Sequence, residues 1–323
     1  MARIPIVVGF IAATAGLLGR GEAAAQEVVL ETPAGKLYAT LELPAANPPY
    51  PVALIHPGSG PTDRDGNSPL LPGKNDSLKL LAEGLAVRGI ASLRVDKRGI
   101  GKSAGAPARE EDVRLESFVE DAVAWLEWLR RDGRFGKRAV IGHSEGSLIG
   151  MLAAQRAGAD AFVSLAGPGR PLGQILLEQL KPQLPPAMYS EAERVVKELE
   201  AGRAVPEASI QLPPQLTAQL FRASVQPYLI SVFRYDPARE LGKLNVPVLV
   251  VQGTTDLQVS PAEAEALAAA NPKAQKVLVE GMNHVLKRAP ADPQANIAAY
   301  SDPKLPLAEG LLAAVVRFLQ ASL

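Results

Sequence analysis

The chain has no cysteine and only three histidines in 323 residues. Without cysteine there can be no disulfide, thiolate metal site, cysteine nucleophile or lipidated cysteine anchor. This leaves the compartment open, because a large core holds without disulfides. No two histidines lie at metal-ligand spacing, so no metal site is expected, and no cofactor fingerprint is present. An excess of charge is missing too. The 34 basic residues balance 34 acidic ones. No long-range field therefore favours nucleic acid or an anionic membrane. There is no acidic or basic tail and no repeat at a fixed period.

A membrane-length apolar run is also absent. The stretch Ile4–Leu18 is mostly apolar but short of the roughly 20 residues a spanning helix needs. Arg3 precedes it and Ala23-Ala24-Ala25 follows it. A positive start, an apolar middle and small residues at the end have the layout of a secretory signal peptide. Cleavage is expected after Ala25, making residues 1–25 a signal peptide and the mature protein periplasmic or secreted, with no stable membrane insertion. The remaining chain, 26–323, is read as the folded domain.

With 47% hydrophobic residues the chain can build a sizeable core. Short β-rich runs alternate with longer stretches of helical spacing. Strands are predicted at Glu27–Glu31, Lys36–Leu43, Pro51–His56, Ile90–Val95, Arg138–Gly142, Ala161–Leu165, Val246–Gln252 and Gln275–Glu280. The first two read as a hairpin turning at Pro33-Ala34-Gly35. Runs such as Val248-Leu249-Val250-Val251 are apolar throughout, as strands covered on both faces must be. The stripe Leu78, Leu81, Leu85 predicts a helix ending at Gly89. The stripe Phe118, Ala122, Trp125, Leu129 predicts another ending near Gly133. Further helices are expected after Ser144, from Ser260-Pro261, and over about 307–320. The alternation predicts an α/β fold with an eight-stranded, mostly parallel sheet and helices on both faces. The stretch 168–237 breaks the rhythm with prolines and two or three helical segments, including Ser190–Ala201. It is expected to be a helical lid inserted between the sixth and seventh strands.

Gly142-His143-Ser144-Glu145-Gly146 fits a G-x-S-x-G nucleophile elbow. The serine needs a sharp strand-to-helix turn, and small residues two positions away avoid collision with the neighbouring elements. A strand before it and a helix after it supply the context. A serine hydroxyl also needs a base. His143 adjoins the serine and should turn elsewhere, while His56 opens a Gly-rich loop and suits a structural role. His284 follows the last strand and is the expected base. Asp256, just past the seventh strand, is the expected carboxylate that orients it. Glu280 and Asp236 are competitors, but the first is still in a strand and the second reads as a helix cap. For the oxyanion, backbone N–H donors are expected at Glu145 and in His56-Pro57-Gly58-Ser59-Gly60. Pro57 has no N–H, so Ser59 comes first and Gly60 second.

Gly99-Ile100-Gly101-Lys102-Ser103 invites a phosphate-binding reading that its context rejects. The P-loop glycine five positions before Gly101 is Asp96 here, and no helix is predicted at the lysine.

With these residues in place, the chain resembles the α/β-hydrolase superfamily over Gln26 to Leu323. Asp96-Lys97-Arg98-Gly99-Ile100-Gly101-Lys102-Ser103 is similar to that superfamily's D-x-R-G-x-G-x-S turn, a structural element there. Gly58-Ser59-Gly60-Pro61-Thr62-Asp63-Arg64-Asp65 resembles the Gly-Ser-Gly-Pro-x-Asp-Arg-Asp loop of a group of bacterial esterases. Gly253-Thr254-Thr255-Asp256-Leu257-Gln258-Val259 is similar to that group's acid loop. The resemblance implies a carboxylesterase acting on short acyl esters of small molecules without a cofactor. A thioesterase or peptidase would use the same three side chains. A non-catalytic binding protein on this scaffold is the reading that an intact Ser, Asp and His disfavour.

Overall fold

The computed structural model describes residues 24–71, 73–106 and 109–323. The expected signal peptide lies outside the described residues except for Ala24 and Ala25. Those two begin β1 (Ala24–Thr32), which pairs antiparallel with β2 (Gly35–Leu43). The hairpin turns on Pro33-Ala34. Gly35, expected in the turn, instead pairs with Thr32 and carries φ 116, a conformation natural to glycine.

The chain continues through β3 (Tyr50–His56), α1 (Ser77–Ala86), β4 (Ala91–Val95), α2 (Leu115–Arg131), β5 (Phe135–His143), α3 (Glu145–Ala157) and β6 (Ala161–Leu165). Five helices then intervene: α4 (Leu172–Leu180), α5 (Pro186–Glu200), α6 (Pro214–Leu220), α7 (Gln226–Phe233) and α8 (Pro237–Leu241). The chain closes with β7 (Val248–Gly253), α9 (Pro261–Ala270), β8 (Gln275–Val279), α10 (Pro293–Ala298) and α11 (Leu311–Ser322). The eight strands form one sheet in the order β1-β2-β4-β3-β5-β6-β7-β8. From β4 to β8 neighbouring strands are parallel, and only the β1–β2 and β2–β4 pairs are antiparallel.

The central strands are apolar on both sides because both sides are covered. On β3, Val52 and Leu54 enter one core while Ala53 and Ile55 enter the other. On β7, Val248 and Val250 face the first core, Leu249 and Val251 the second. This period of two follows from the pleat. Helices α1 and α11 cover one face through Leu78, Leu81, Leu85, Leu311 and Val315. Helices α2, α3 and α9 cover the other, with Trp125 fully buried.

Most element bounds shift by a few residues from the sequence expectation, and the stretch 168–237 holds four helices, α4 to α7, rather than two or three. Two of the shifts have a visible cause. β5 begins at Phe135, since Tyr50 pairs with it across the sheet beyond a register shift. The last helix starts at Leu311, because Leu307 is taken by a bridge to Lys287 and Gly310 caps the helix at φ 89. The segment 168–237 is helical between β6 and β7. Its apolar residues Leu180, Phe221 and Phe233 are buried, and they belong to the main core cluster.

Candidate active site

Every candidate side chain sits just past the carboxyl end of a strand. β5 runs into α3 with Ser144 between them, at φ 54 and ψ −128. That conformation is rarely adopted by a non-glycine residue and costs about 1–3 kcal/mol. The surroundings hold it: Ser144 N–H donates to the Leu165 carbonyl at 2.9 Å, and the Ser144 carbonyl accepts from Ser147 N–H at 2.9 Å. The flanking glycines are required by space. A Cβ on Gly142 would lie 2.3 Å from the Gly146 carbonyl oxygen. A Cβ on Gly146 would lie 2.4 Å from the Pro57 carbonyl oxygen and 2.5 Å from that of His56. The elbow is thus wedged against the loop that follows β3.

The structure brings Ser144, His284 and Asp256 together. His284 Nε2 lies 3.0 Å from Ser144 Oγ, and its Nδ1 lies 2.9 Å from Asp256 Oδ2. The Asp256 side chain is fully buried and fully partnered. Oδ1 accepts from Gln258 N–H at 2.8 Å and Val259 N–H at 2.9 Å. Oδ2 also accepts from the Gln252 amide at 3.1 Å. Burial pushes the Asp256 carboxyl up. The charge and hydrogen bond of His284 and the two backbone donors outweigh that and leave it below the ordinary carboxylate range. A carboxylate held ionised in this way keeps the proton on Nδ1 and leaves Nε2 free to accept. The competitors fall elsewhere: Asp236 caps α8 through Arg239 N–H, and Glu280 is exposed.

Loop 57–60 lies beside the nucleophile. Gly58 is buried, and a Cβ there would lie 3.1 Å from Ser144 Cβ. Ser59 and Gly60, the expected donors, follow it and are exposed. Gly58 was not among the expected donors, although it is the residue of this loop that abuts Ser144.

The other two histidines are neutral supports. His56 is buried with Nδ1 3.0 Å from the Pro57 carbonyl, and burial, then the Lys97 charge, hold it down at about 3. His143, expected to turn elsewhere than the hydroxyl, has its Nε2 2.8 Å from the His284 carbonyl. A carbonyl only accepts, so this nitrogen carries the proton. Burial, then the His284 charge, lower His143 to about 4.

The Gly-Ile-Gly-Lys-Ser segment does wrap an anion, but the anion is the chain's own Asp96. Asp96 Oδ2 accepts from Lys102 N–H at 2.9 Å, and a Cβ on Gly101 would lie 2.6 Å from that carboxyl group. Arg64 completes the pair with three donors at 2.6 to 2.9 Å. The Asp-Arg-Asp loop and the turn after β4 are therefore one buried ion-pair unit beside the site.

An eight-stranded, mostly parallel sheet with a strained serine between β5 and α3 defines an α/β-hydrolase. The chain belongs to the serine aminopeptidase S33 family, Hydrolase_4, which matches residues 74–288. It is 27% identical over 225 residues to Esterase EstD of Thermotoga maritima, matching 70% of this chain and 51% of that protein. It thus spans about half the length of that curated relative. Among solved structures it is similar in fold to α/β-hydrolase GrgF from Penicillium sp. sh18, with TM-score 0.59 and 19% identity over 93% of this chain and 99% of that one. Est1E from Butyrivibrio proteoclasticus matches with TM-score 0.58 and 19% identity over 92% and 98%.

Proposed function

We propose that the protein is a serine carboxylesterase that cleaves small acyl esters through an acyl-enzyme. The observation that carries this is the continuous chain of contacts, Ser144 Oγ to His284 at 3.0 Å and His284 to Asp256 at 2.9 Å. Ser144 attacks the ester carbonyl as His284 takes its proton, and Asp256 steadies the imidazolium. Backbone N–H groups of Glu145 and Ser59 hold the oxyanion. His284 then protonates the departing alcohol, and water releases the acid by the reverse steps. The named activity of EstD supports esters as the substrate class. The aminopeptidase description of the family keeps amide hydrolysis as a second reading on the same side chains.

Two further parts belong to this proposal. The helical segment 168–237 acts as a lid over the site. The first 25 residues direct export, with cleavage after Ala25, which rests on the layout of that segment.

The test compares the purified protein and a Ser144→Ala variant on esters, thioesters and aminoacyl amides, with fluorophosphonate labelling alongside. Hydrolysis and labelling should vanish together in the variant, and esters should be the preferred class. Turnover or labelling that survives the substitution overturns the mechanism. Cleavage of amides alone replaces the substrate class.

A further inference from the structure

Lys97 occupies the variable position of the Asp-x-Arg-Gly turn, where nothing in the pattern demands a lysine. It is nonetheless 3% exposed. Burying an ammonium is costly unless its donors and charge are matched. Both are matched here by parts of the active site. Its Nζ donates to the carbonyl of Gly58 and, at 2.7 Å, to that of Gly60. It stands 5.6 Å from the centre of the Phe118 ring. The charge it feels most is the buried carboxylate of Glu145, the residue after the nucleophile. Burial, against that attraction, lowers the ammonium to about 8, and burial likewise raises the Glu145 carboxyl. From α7, Tyr228 directs its buried hydroxyl at Glu145 without closing a well-formed hydrogen bond.

The geometry has a consequence for Ser59. In a trans peptide the C=O and the next N–H point in opposite directions. A lysine that grips the Gly58 carbonyl therefore fixes which way the Ser59 N–H points. The same ammonium feels the charge of Glu145, the residue whose own N–H follows Ser144, without a direct ion-pair contact to it. One side chain thus spans the loop after β3 and the start of α3, the two elements proposed to supply the oxyanion donors.

We propose that Lys97 is a positioning residue for the reaction: by holding the Gly58 and Gly60 carbonyls it presents the N–H side of this loop to the oxyanion. This rests on Ser144 being the nucleophile. The rival role is purely structural, in which Lys97 only neutralises Glu145.

A double variant separates the two roles. Lys97→Met with Glu145→Gln removes the carbonyl grip while leaving no unpaired buried charge. It is compared with Glu145→Gln alone for thermal midpoint, kcat, KM and affinity for a trifluoromethyl ketone, which forms an oxyanion on the serine. Relative to Glu145→Gln, the double variant should lose kcat about 100-fold, the scale of one misplaced oxyanion donor. Ketone affinity should fall by a similar factor and KM should stay within about threefold, with the thermal midpoint establishing that both variants are folded at the assay temperature. Equal kcat and ketone affinity in the two variants would overturn the proposal. Should the methionine variant not fold, Lys97→Leu on the Glu145→Gln background, which likewise carries no side-chain donor, is read against the same outcomes. Failure of the nucleophile assignment is distinct, since it shows as Ser144→Ala activity whatever stands at 97.

Discussion

His143 and His284 lie 141 residues apart in the chain, yet the ring of the first supports the backbone of the second. His143 Nε2 donates to the His284 carbonyl at 2.8 Å, with the two ring centres 5.0 Å apart. The residue before the nucleophile thereby braces the loop that carries the base. His143→Gln should lower kcat roughly tenfold with little change in KM, the scale of one neutral hydrogen bond lost from a positioned loop. Steady-state kinetics on the wild-type substrate check this. An unchanged kcat would show that the loop holds without the brace.

The same histidine, with His56, shapes the pH dependence of stability. Their folded values of about 4 and about 3 lie below the value of roughly 6.5 for an unfolded histidine. As pH falls, the unfolded chain takes up protons first, so stability is full above about pH 6.5 and is lost on going down through the folded values. With two such groups the slope approaches about 2.7 kcal/mol per pH unit inside that window. Urea midpoints for the wild type and His143→Gln should converge as pH drops from 7 to 5. Curves that stay parallel would contradict a neutral buried His143.

Asp256→Asn keeps the shape of the acid loop but reverses the tautomer preference of His284. It should cut kcat by about 10⁴-fold, with KM nearly unchanged. Far-ultraviolet circular dichroism and the thermal midpoint should confirm that the variant folds. A loss below about tenfold would mean that another group orients the imidazole.

Asp96 is 3% exposed and receives Arg64 through three donors. Replacing it by asparagine leaves the Arg64 guanidinium buried beside a neutral amide. The expected loss is about 3–5 kcal/mol of unfolding free energy, the usual consequence of breaking a buried pair from one side. Chemical denaturation measures it directly. Stability within about 1 kcal/mol of wild type would show that Arg64 finds solvent or Glu27 instead.

Gly146→Ala places a methyl group against two carbonyl oxygens at 2.4 and 2.5 Å. Neither oxygen belongs to a flexible side chain, so loop 56–58 must shift away from Ser144. Stability should fall by about 1–3 kcal/mol, as in other overpacked sites, and fluorophosphonate labelling should slow in parallel. Labelling at the wild-type rate in a destabilised variant would mean that the shift does not reach the nucleophile.

Much of this was legible in the sequence because the signals are local. A strand covered on both faces must be apolar at every position, so Val248 to Val251 declares itself without its neighbours. The elbow declares itself because a serine at φ 54 flanked by close backbones requires glycine on either side. With three histidines in the chain, the base could be reached by elimination, and chain order then singled out Asp256. The sequence alone therefore determined the fold class, the succession of strands along the chain and the three side chains that the fold brings together, while their order in the sheet came from the tertiary structure.

What only the tertiary structure decided is carried by contacts between distant segments that leave no periodic trace. Lys97 looks like a variable position in a turn until its ammonium is found on the Gly58 and Gly60 carbonyls. Gln252 looks like the end of a strand until its amide is found on Asp256. Gly-Ile-Gly-Lys-Ser looks like a phosphate cradle until Asp96 is found inside it. In each case a buried polar group had to find a partner, and the partner came from whichever segment the sheet brought near. Burial makes such pairings obligatory. Only the packed fold says which they are.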